Sequence, residues 1–480
     1  MKSIDLRQIR TTIIFLIFIL FSFNLYEIDI FAQDKITLNH ADSLMGKVID
    51  GEQVREAVGN VSLTHNNVQI FCSRVIQFTE QNKAELYGNV KVFKDTLSIY
   101  APAGIYYGNE GKVVCPNGST LNDSKVTLKA NHGTYLFSQD IAYFRGNVKI
   151  YDSKSYTITS DELNYYRTDN KSIASGNVKI VTDSSVIYSD NLIYEKSIGK
   201  SFASGNVKIE SDSTVINSNK LTYYEFEKKS IAEENVKINF LNKNAVIYGL
   251  YSENYEITNY SFVKGKAKLV QIEKKEGRID TLFIYSEKME SFRNKPEYYI
   301  ANDSVKIIRS DFYSNSQIGY YFKDTTGTGG VVSLSRNPAV WKDELQVTGD
   351  SIYAFFKDDL EKIYVNKSAF ALQNNKNYEN RYDQISGVFM FLKFIDNEIN
   401  YIQVDTNAAS IYFVYDNEKP NGANKSNGEV ISMYFKDKKI NKVKVVGLPE
   451  GTYFPEFLVN LAELRLLGFN IRYDKPLREQ

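Results

Sequence analysis

One short phrase returns along this chain at a fixed interval, and it constrains the fold more than any other feature. It reads Gly88-Asn89-Val90-Lys91-Val92, Gly146-Asn147-Val148-Lys149-Ile150, Gly176-Asn177-Val178-Lys179-Ile180 and Gly205-Asn206-Val207-Lys208-Ile209. A weaker copy opens at Gly59-Asn60-Val61, and later copies drift to Glu234-Asn235-Val236 and Gly265-Lys266-Ala267. Asn60 to Asn89 is 29 positions, and Asn89 to Asn147 is twice that, with Asn117-Gly118 standing at the missing midpoint. Seven units therefore run from about residue 60 to 270. A period of this length means stacked supersecondary units, none of which buries its apolar face alone.

Alignment on the Asn exposes columns. Ile70, Ile99, Leu128, Ile158, Ile187, Ile216 and Ile247 form one, and Cys72, Ala101, Ala130, Ser160, Ser189, Ser218 and Gly249 form a small-residue column two places on. Tyr106, Tyr135, Tyr165, Tyr194 and Tyr223 form a third. Each unit reads as two strands with one apolar face. The apolar phase slips within the first strand, at Ser189-Asp190-Asn191, and the second carries Ser204-Gly205-Asn206 at its middle. A slip of one residue turns a strand over unless a bulge absorbs it, so both strands are expected to bend at mid-length. Stacked bent strands give two half-sheets joined at a corner, enclosing an aliphatic trough. Their end strands are left unpaired.

The phrase GNVKI, with Ser160-Asp161-Glu162-Leu163-Asn164-Tyr165 and Ser189-Asp190-Asn191-Leu192-Ile193-Tyr194 between its copies, resembles the OstA/LptA family. The resemblance covers about residues 34–270 and is looser through 280–410. It implies an all-β fold, an elongated, twisted β-jellyroll. It also implies a periplasmic protein that carries lipopolysaccharide, holds lipid A acyl chains inside, and joins partner jellyrolls, or further copies of itself, edge to edge. On that reading the candidate lining is Ile99, Leu128, Ile158, Ile187, Ile216 and Ile247 with Val148, Val178, Val207 and Val236. Lys149, Lys179, Lys208 and Lys237 are the candidate headgroup contacts. Two alternatives stay open for these columns. The aliphatics can simply fill a packed core, and the lysines can be solvated side chains that keep the surface from aggregating.

Composition narrows the chemistry. The 480 residues carry 58 Lys+Arg and 58 Asp+Glu, without the basic excess of a general nucleic-acid binder. Three histidines and two cysteines leave little material for a zinc site or a His-based triad. No H-E-x-x-H, G-x-S-x-G, P-loop or C-x-x-C occurs, so neither an enzyme nor a cofactor is expected. Asp161 and Asp190 occupy equivalent positions and would serve a carbohydrate-active β-solenoid enzyme if they converged in a groove. Their column also holds Asn131, Asn219, Ser73 and Pro102, which is turn chemistry. Cys72 and Cys115 fall in different columns and read as buried thiols. The third reading is a structural or adhesive envelope repeat without a lipid ligand.

The ends are read differently. Lys2, Arg7 and Arg10 precede an apolar run, Ile13 to Phe23, too short to span a bilayer and suited to an export signal ending near Ala32. Residues 1–32 are therefore assigned to a signal peptide and 33–270 to the repeat jellyroll. Residues 271–415 are assigned to a divergent second β section, and 416–480 to a linker and C-terminal segment. Residues 416–429, rich in Asn, Gly and Lys, read as linker or exposed loop, and Thr326 to Gly330 as a hairpin loop. Pro455 to Leu467, followed by Gly468, is expected to form a short C-terminal helix.

Overall fold

The computed structural model describes residues 34–478, except 124–125, 153–155, 276–277, 311, 324–328, 358 and 376. The export signal assigned to residues 1–32, and most of the Thr326–Gly330 loop, lie outside the described residues. Apart from three short 3-10 turns, every regular element among the described residues is a β-strand. The chain divides into two compact units, one ending at Ile141 and one beginning at Ala142.

In both units the long consecutive strands pair antiparallel with a recurring interruption. Where Val186–Glu195 meets Lys200–Glu210, Tyr188 pairs with Lys208 and Asn191 with Ser204, and the register shifts between them. The shift leaves Gly205, Asn206 and Val207 opposite Ser189 and Asp190, and on the other side Gly205 and Asn206 face Asn219 alone, a bulge with one extra residue on the Gly-Asn strand. Gly205 and Asn206 both have positive φ, 78° and 47°. The same Gly-Asn pair has positive φ at 59–60, 88–89, 146–147 and 176–177. The bulge persists where the phrase has dissolved. Asp303-Ser304, Lys367-Ser368 and Thr406-Asn407 take the same left-handed pair of conformations. The register shifts there too, between Asn302 and Val305, Asn366 and Ala369, and Asp405 and Ala408. The backbone repeat thus runs well beyond residue 270: Tyr260–Lys275 pairs with Arg278–Phe292 across that point, with the usual shift between Lys264 and Ala267.

Two features make the bend. Asn206 Nδ2 donates to Asp190 Oδ2 (2.9 Å), and Asn177 Nδ2 to Asp161 Oδ2 (2.7 Å). A Cβ on Gly205 would stand 2.3 Å from Asp190 Oδ2, so only glycine fits beside that carboxylate. On the facing strand, the small-column serines close onto their own bend. The Oγ atoms of Ser160, Ser189, Ser218, Ser286 and Ser316 each donate to the carbonyl two residues on, at 2.9–3.1 Å. The sequence phase slip is therefore a built bend.

Two expectations are corrected. Residues 416–429 are not a linker: Glu398–Asp416 and Lys419–Lys436 are adjacent strands, paired from Asp416↔Lys419 to Tyr401↔Tyr434. The low hydrophobicity that suggested a linker fits a strand with many partly exposed positions. The short C-terminal helix is also absent: Glu456–Leu458 make one 3-10 turn, and the chain then runs without regular structure. Asn460 Oδ1 accepts from the Ala462 N–H, a local side-chain bond that competes with helix. Leu464 and Leu466 are then both buried, two apart, between exposed Glu463, Arg465 and Leu467. That is extended-chain spacing, not the 3.6-residue period of a helix face.

Candidate functional site: the aliphatic trough

Because the bend turns each strand over, the inward residues can be followed row by row through the register. In the second unit one row reads Ile158, Ile180, Ile187, Ile209, Ile216, Ile238, Ile247, Leu269, Ile284 and Ile307, each directly opposite the next. Ile158 and Ile307 are buried, while the eight between them are only half-buried. At about 4.8 Å per strand this half-open stretch is roughly 34 Å long.

The rest of the cross-section is closed at its base. Val178, Val207 and Val236, opposite Ser189, Ser218 and Gly249, lie buried at the bend. On the other half-sheet Ala174, Leu192, Ala203, Leu221 and Ala232 form a buried row that alternates small and large. Beyond it stands a rim row of Ser172, Tyr194, Ser201, Tyr223 and Ser230, half-buried and carrying hydroxyls. Burial raises the Tyr223 phenol above its ordinary value, so it stays protonated as a donor. An apolar base, a part-exposed aliphatic wall and a hydroxyl rim can hold an apolar ligand with a polar end.

The first unit uses the same columns and closes them. Leu63, Ile70, Val92, Ile99, Leu121 and Leu128 form the matching row, and all are buried. Tyr106 and Tyr135, the counterparts of Tyr194 and Tyr223, are buried as well. The closure has named bonds. His65 Nδ1 and the Tyr106 hydroxyl are 2.8 Å apart, joining the end of one half-sheet to the other. Lys94 Nζ donates to the Phe137 carbonyl at 2.7 Å. Residues 34–36 lie against the same rim. The Ile36 N–H donates to Asn82 Oδ1 (2.9 Å), Gln77 Nε2 donates to the Ile36 carbonyl (2.7 Å), and the Asp34 carbonyl lies 2.8 Å from His65 Nε2.

The sequence-based candidates therefore part company. Ile99, Leu128 and Ile158 are fully buried, as are Val148, Val178, Val207 and Val236. Ile187, Ile216 and Ile247 belong to the half-open row. Ile180, Ile209, Ile238, Leu269 and Ile284 were missed as wall residues, although each pairs with a candidate or its neighbour in the row. The lysines lie on the opposite face. Lys179, Lys208, Lys237 and Lys268 alternate with Tyr188, Asn217 and Tyr248 in an outward row, and Lys149 is exposed. Lys179 and Lys237 stand over Tyr188 and Tyr248, at 5.5 and 5.8 Å from the ring centres. Lys208 pairs with Glu210, whose hydrogen bond raises the ammonium's pKa.

Asp161 and Asp190 are exposed and serve the bends described above, in separate units of the repeat. Cys72 and Cys115 are free and buried, and desolvation pushes both thiols up to about 11.

Residues 33–190 match a family model described as OstA-like protein. Among solved structures, one match is LptH, the LptA-homologous periplasmic component of the lipopolysaccharide transport device of Pseudomonas aeruginosa. The two are 13% identical over 32% of this chain and 82% of that one, with a TM-score of 0.16, too slight a likeness to bear on fold or function. No curated protein matches the chain.

Proposed function

We propose that this chain, OstA-like over residues 33–190, is a periplasmic, non-enzymatic carrier or assembly factor for lipopolysaccharide. In this reading the trough between Ile180 and Ile284 takes lipid A acyl chains. The observation that carries it is the half-buried aliphatic row. Apolar surface left in water forgoes about 25 cal/mol per Å², and an acyl chain laid along the wall recovers that energy. Headgroup contact then falls to the rim hydroxyls of Ser201, Tyr223 and their neighbours, because the lysine row points away from the trough.

Open strand edges support the joining of partner jellyrolls or of further copies. Among the described residues Ser43–Ile49 pairs only with Glu52–His65, and Leu44, Met45 and Val48 on it are exposed. In the second unit Lys439–Val446 and Glu450–Pro455 pair only with Lys419–Lys436. Unpaired edges are templates for strand addition. The packed-core reading is favoured for residues 34–141, where the same columns are filled and sealed.

The test is the protein purified from its own cell envelope, extracted and analysed for lipid A by mass spectrometry. Lipid A is expected with the native chain and lost when Ile209→Asp and Ile238→Asp are combined. A native protein that carries no lipid A and takes none up on incubation overturns the proposal.

A further inference from the structure

After the single turn at Glu456–Leu458 the chain does not trail away; it is strapped across the outside of the second unit. Two buried glutamines hold it. Gln384 Nε2 donates to the Leu464 carbonyl (3.0 Å), and its Oε1 accepts from the Leu466 N–H (2.9 Å). Gln346 does the same one stretch later, donating to the Asn470 carbonyl (2.8 Å) and accepting from the Arg472 N–H (2.9 Å). Each side-chain amide reads one carbonyl and the N–H two residues on, as a neighbouring strand would. Both stand in one outward row, Gln346–Leu372–Gln384–Ile411. Leu464 and Leu466 pack there with Phe370, Leu372, Ile411, Phe413 and Ala423. Further on, Arg472 Nη1 donates to Asn337 Oδ1 (2.9 Å), and Asn315 Nδ2 to Asp474 Oδ2 (2.6 Å).

So held, the strap presents a second, uncovered side. Phe457 is 84% exposed, Leu467 99%, Tyr473 88% and Leu477 87%. These are not averaged positions of a loose tail, since clamped residues stand between them. Among the described residues three cations of the segment are paired with no carboxylate and lie on rings instead: Arg465 on Phe469 (4.9 Å), Lys475 on Tyr313 (4.6 Å) and Arg478 on Phe283 (5.9 Å). Two of the acids are already engaged, Glu456 with Arg381 and Asp474 with Arg472, and exposed Glu463 is the remaining acid among the segment's described residues, against three cations.

We infer that the outer side of the C-terminal strap is a docking surface for an anionic lipid bilayer. Leucine and aromatic side chains enter the acyl boundary, and Arg465, Lys475 and Arg478 meet the headgroup phosphates. Tyrosine suits that boundary, with an apolar ring and a polar tip. A protein partner would be expected to offer acids and a complementary wall; exposed leucines and aromatics interspersed with cations fit an anionic lipid surface better. The inference stands apart from the trough, whose residues it does not use.

The test is flotation of the full-length protein with vesicles of phosphatidylglycerol and phosphatidylethanolamine, against vesicles of phosphatidylcholine alone. Binding is expected to the first and to fall steeply with salt. The triple change Leu467→Ser, Tyr473→Ser, Leu477→Ser should weaken it about tenfold or more. Changing Arg465, Lys475 and Arg478 to Gln should also weaken it about tenfold or more, each cation near such a surface contributing about 1 kcal/mol. Melting temperature and lipid A content should be unchanged in both, because the altered side chains lie outside the core and the trough. Equal binding to both vesicle types, or flotation unaffected by the serine variant, overturns the inference. So does sedimentation showing that the stripe instead drives self-association.

Discussion

Residues 34–141 and the stretch from Ile180 to Ile284 are built from the same repeat, yet one is sealed and the other is not. In the first, the aliphatic row from Leu63 to Leu128 is fully buried and the rims are tied by His65–Tyr106, by Lys94, and by the segment Asp34–Ile36. In the second, eight residues of the same row remain half-buried, and Tyr194 and Tyr223 stand at an uncovered rim. The bend is common to both, made by the same left-handed Gly-Asn pair. The difference teaches that the repeat sets the shape of a trough, while a few non-repeating polar residues decide whether it is filled.

The largest expected contrast is chemical. Cys72 and Cys115, with thiols pushed up to about 11, should resist maleimide in the native protein at pH 8 and react on unfolding. In a background with both changed to Ser, Ile216→Cys should react at least about 10²-fold faster, from its thiolate fraction alone. Similar rates at all three sites would erase the distinction. Next in size is the energetic contrast. Leu63→Ala should cost about 2–5 kcal/mol of stability as a cavity in a packed core, and Ile216→Ala well under half of that, by denaturant titration. The bend supplies the internal control. Gly59→Ala and Gly205→Ala should each cost about 1–3 kcal/mol from backbone strain, and unequal losses would show that the bend is not shared. Smallest is the seam. Tyr106→Phe should cost about 1–2 kcal/mol by leaving His65 Nδ1 without its partner, and should speed hydrogen exchange along Leu63–His65. No change there would mean that packing alone seals the first unit.

Much of this was legible in the sequence, for physical reasons. The slip at Ser189-Asp190-Asn191 and the central Gly205-Asn206 pair announced bent strands, because only a bulge can reconcile two apolar phases on one face. The lysines were open between headgroup contact and a solvated face, and the pairing turns them outward, in alternation with Val207 and Ile209. Openness was not legible. Ile99 and Ile187 are the same residue in the same column, and what distinguishes their surroundings is a set of rim contacts from outside the repeat, among them a bond from one histidine to a tyrosine 41 positions away. The C-terminal segment was misread because its leucines fit a helix as well as a strap. The choice was made by Gln346 and Gln384, more than 80 residues earlier. The later bends were hidden for a related reason: Asp303-Ser304 and Lys367-Ser368 adopt the Gly-Asn geometry without its residues, held by the pairing on either side.

The central claim is that the half-open row receives acyl chains and the sealed row does not. A photoactivatable amino acid placed in cells at Ile187, Ile216 or Ile247, and separately at Ile99 or Leu128, tests it directly. Irradiation should give adducts detected by lipid A antibody at the first three positions and none at the last two. Adducts at all five positions, or at none, would contradict the account.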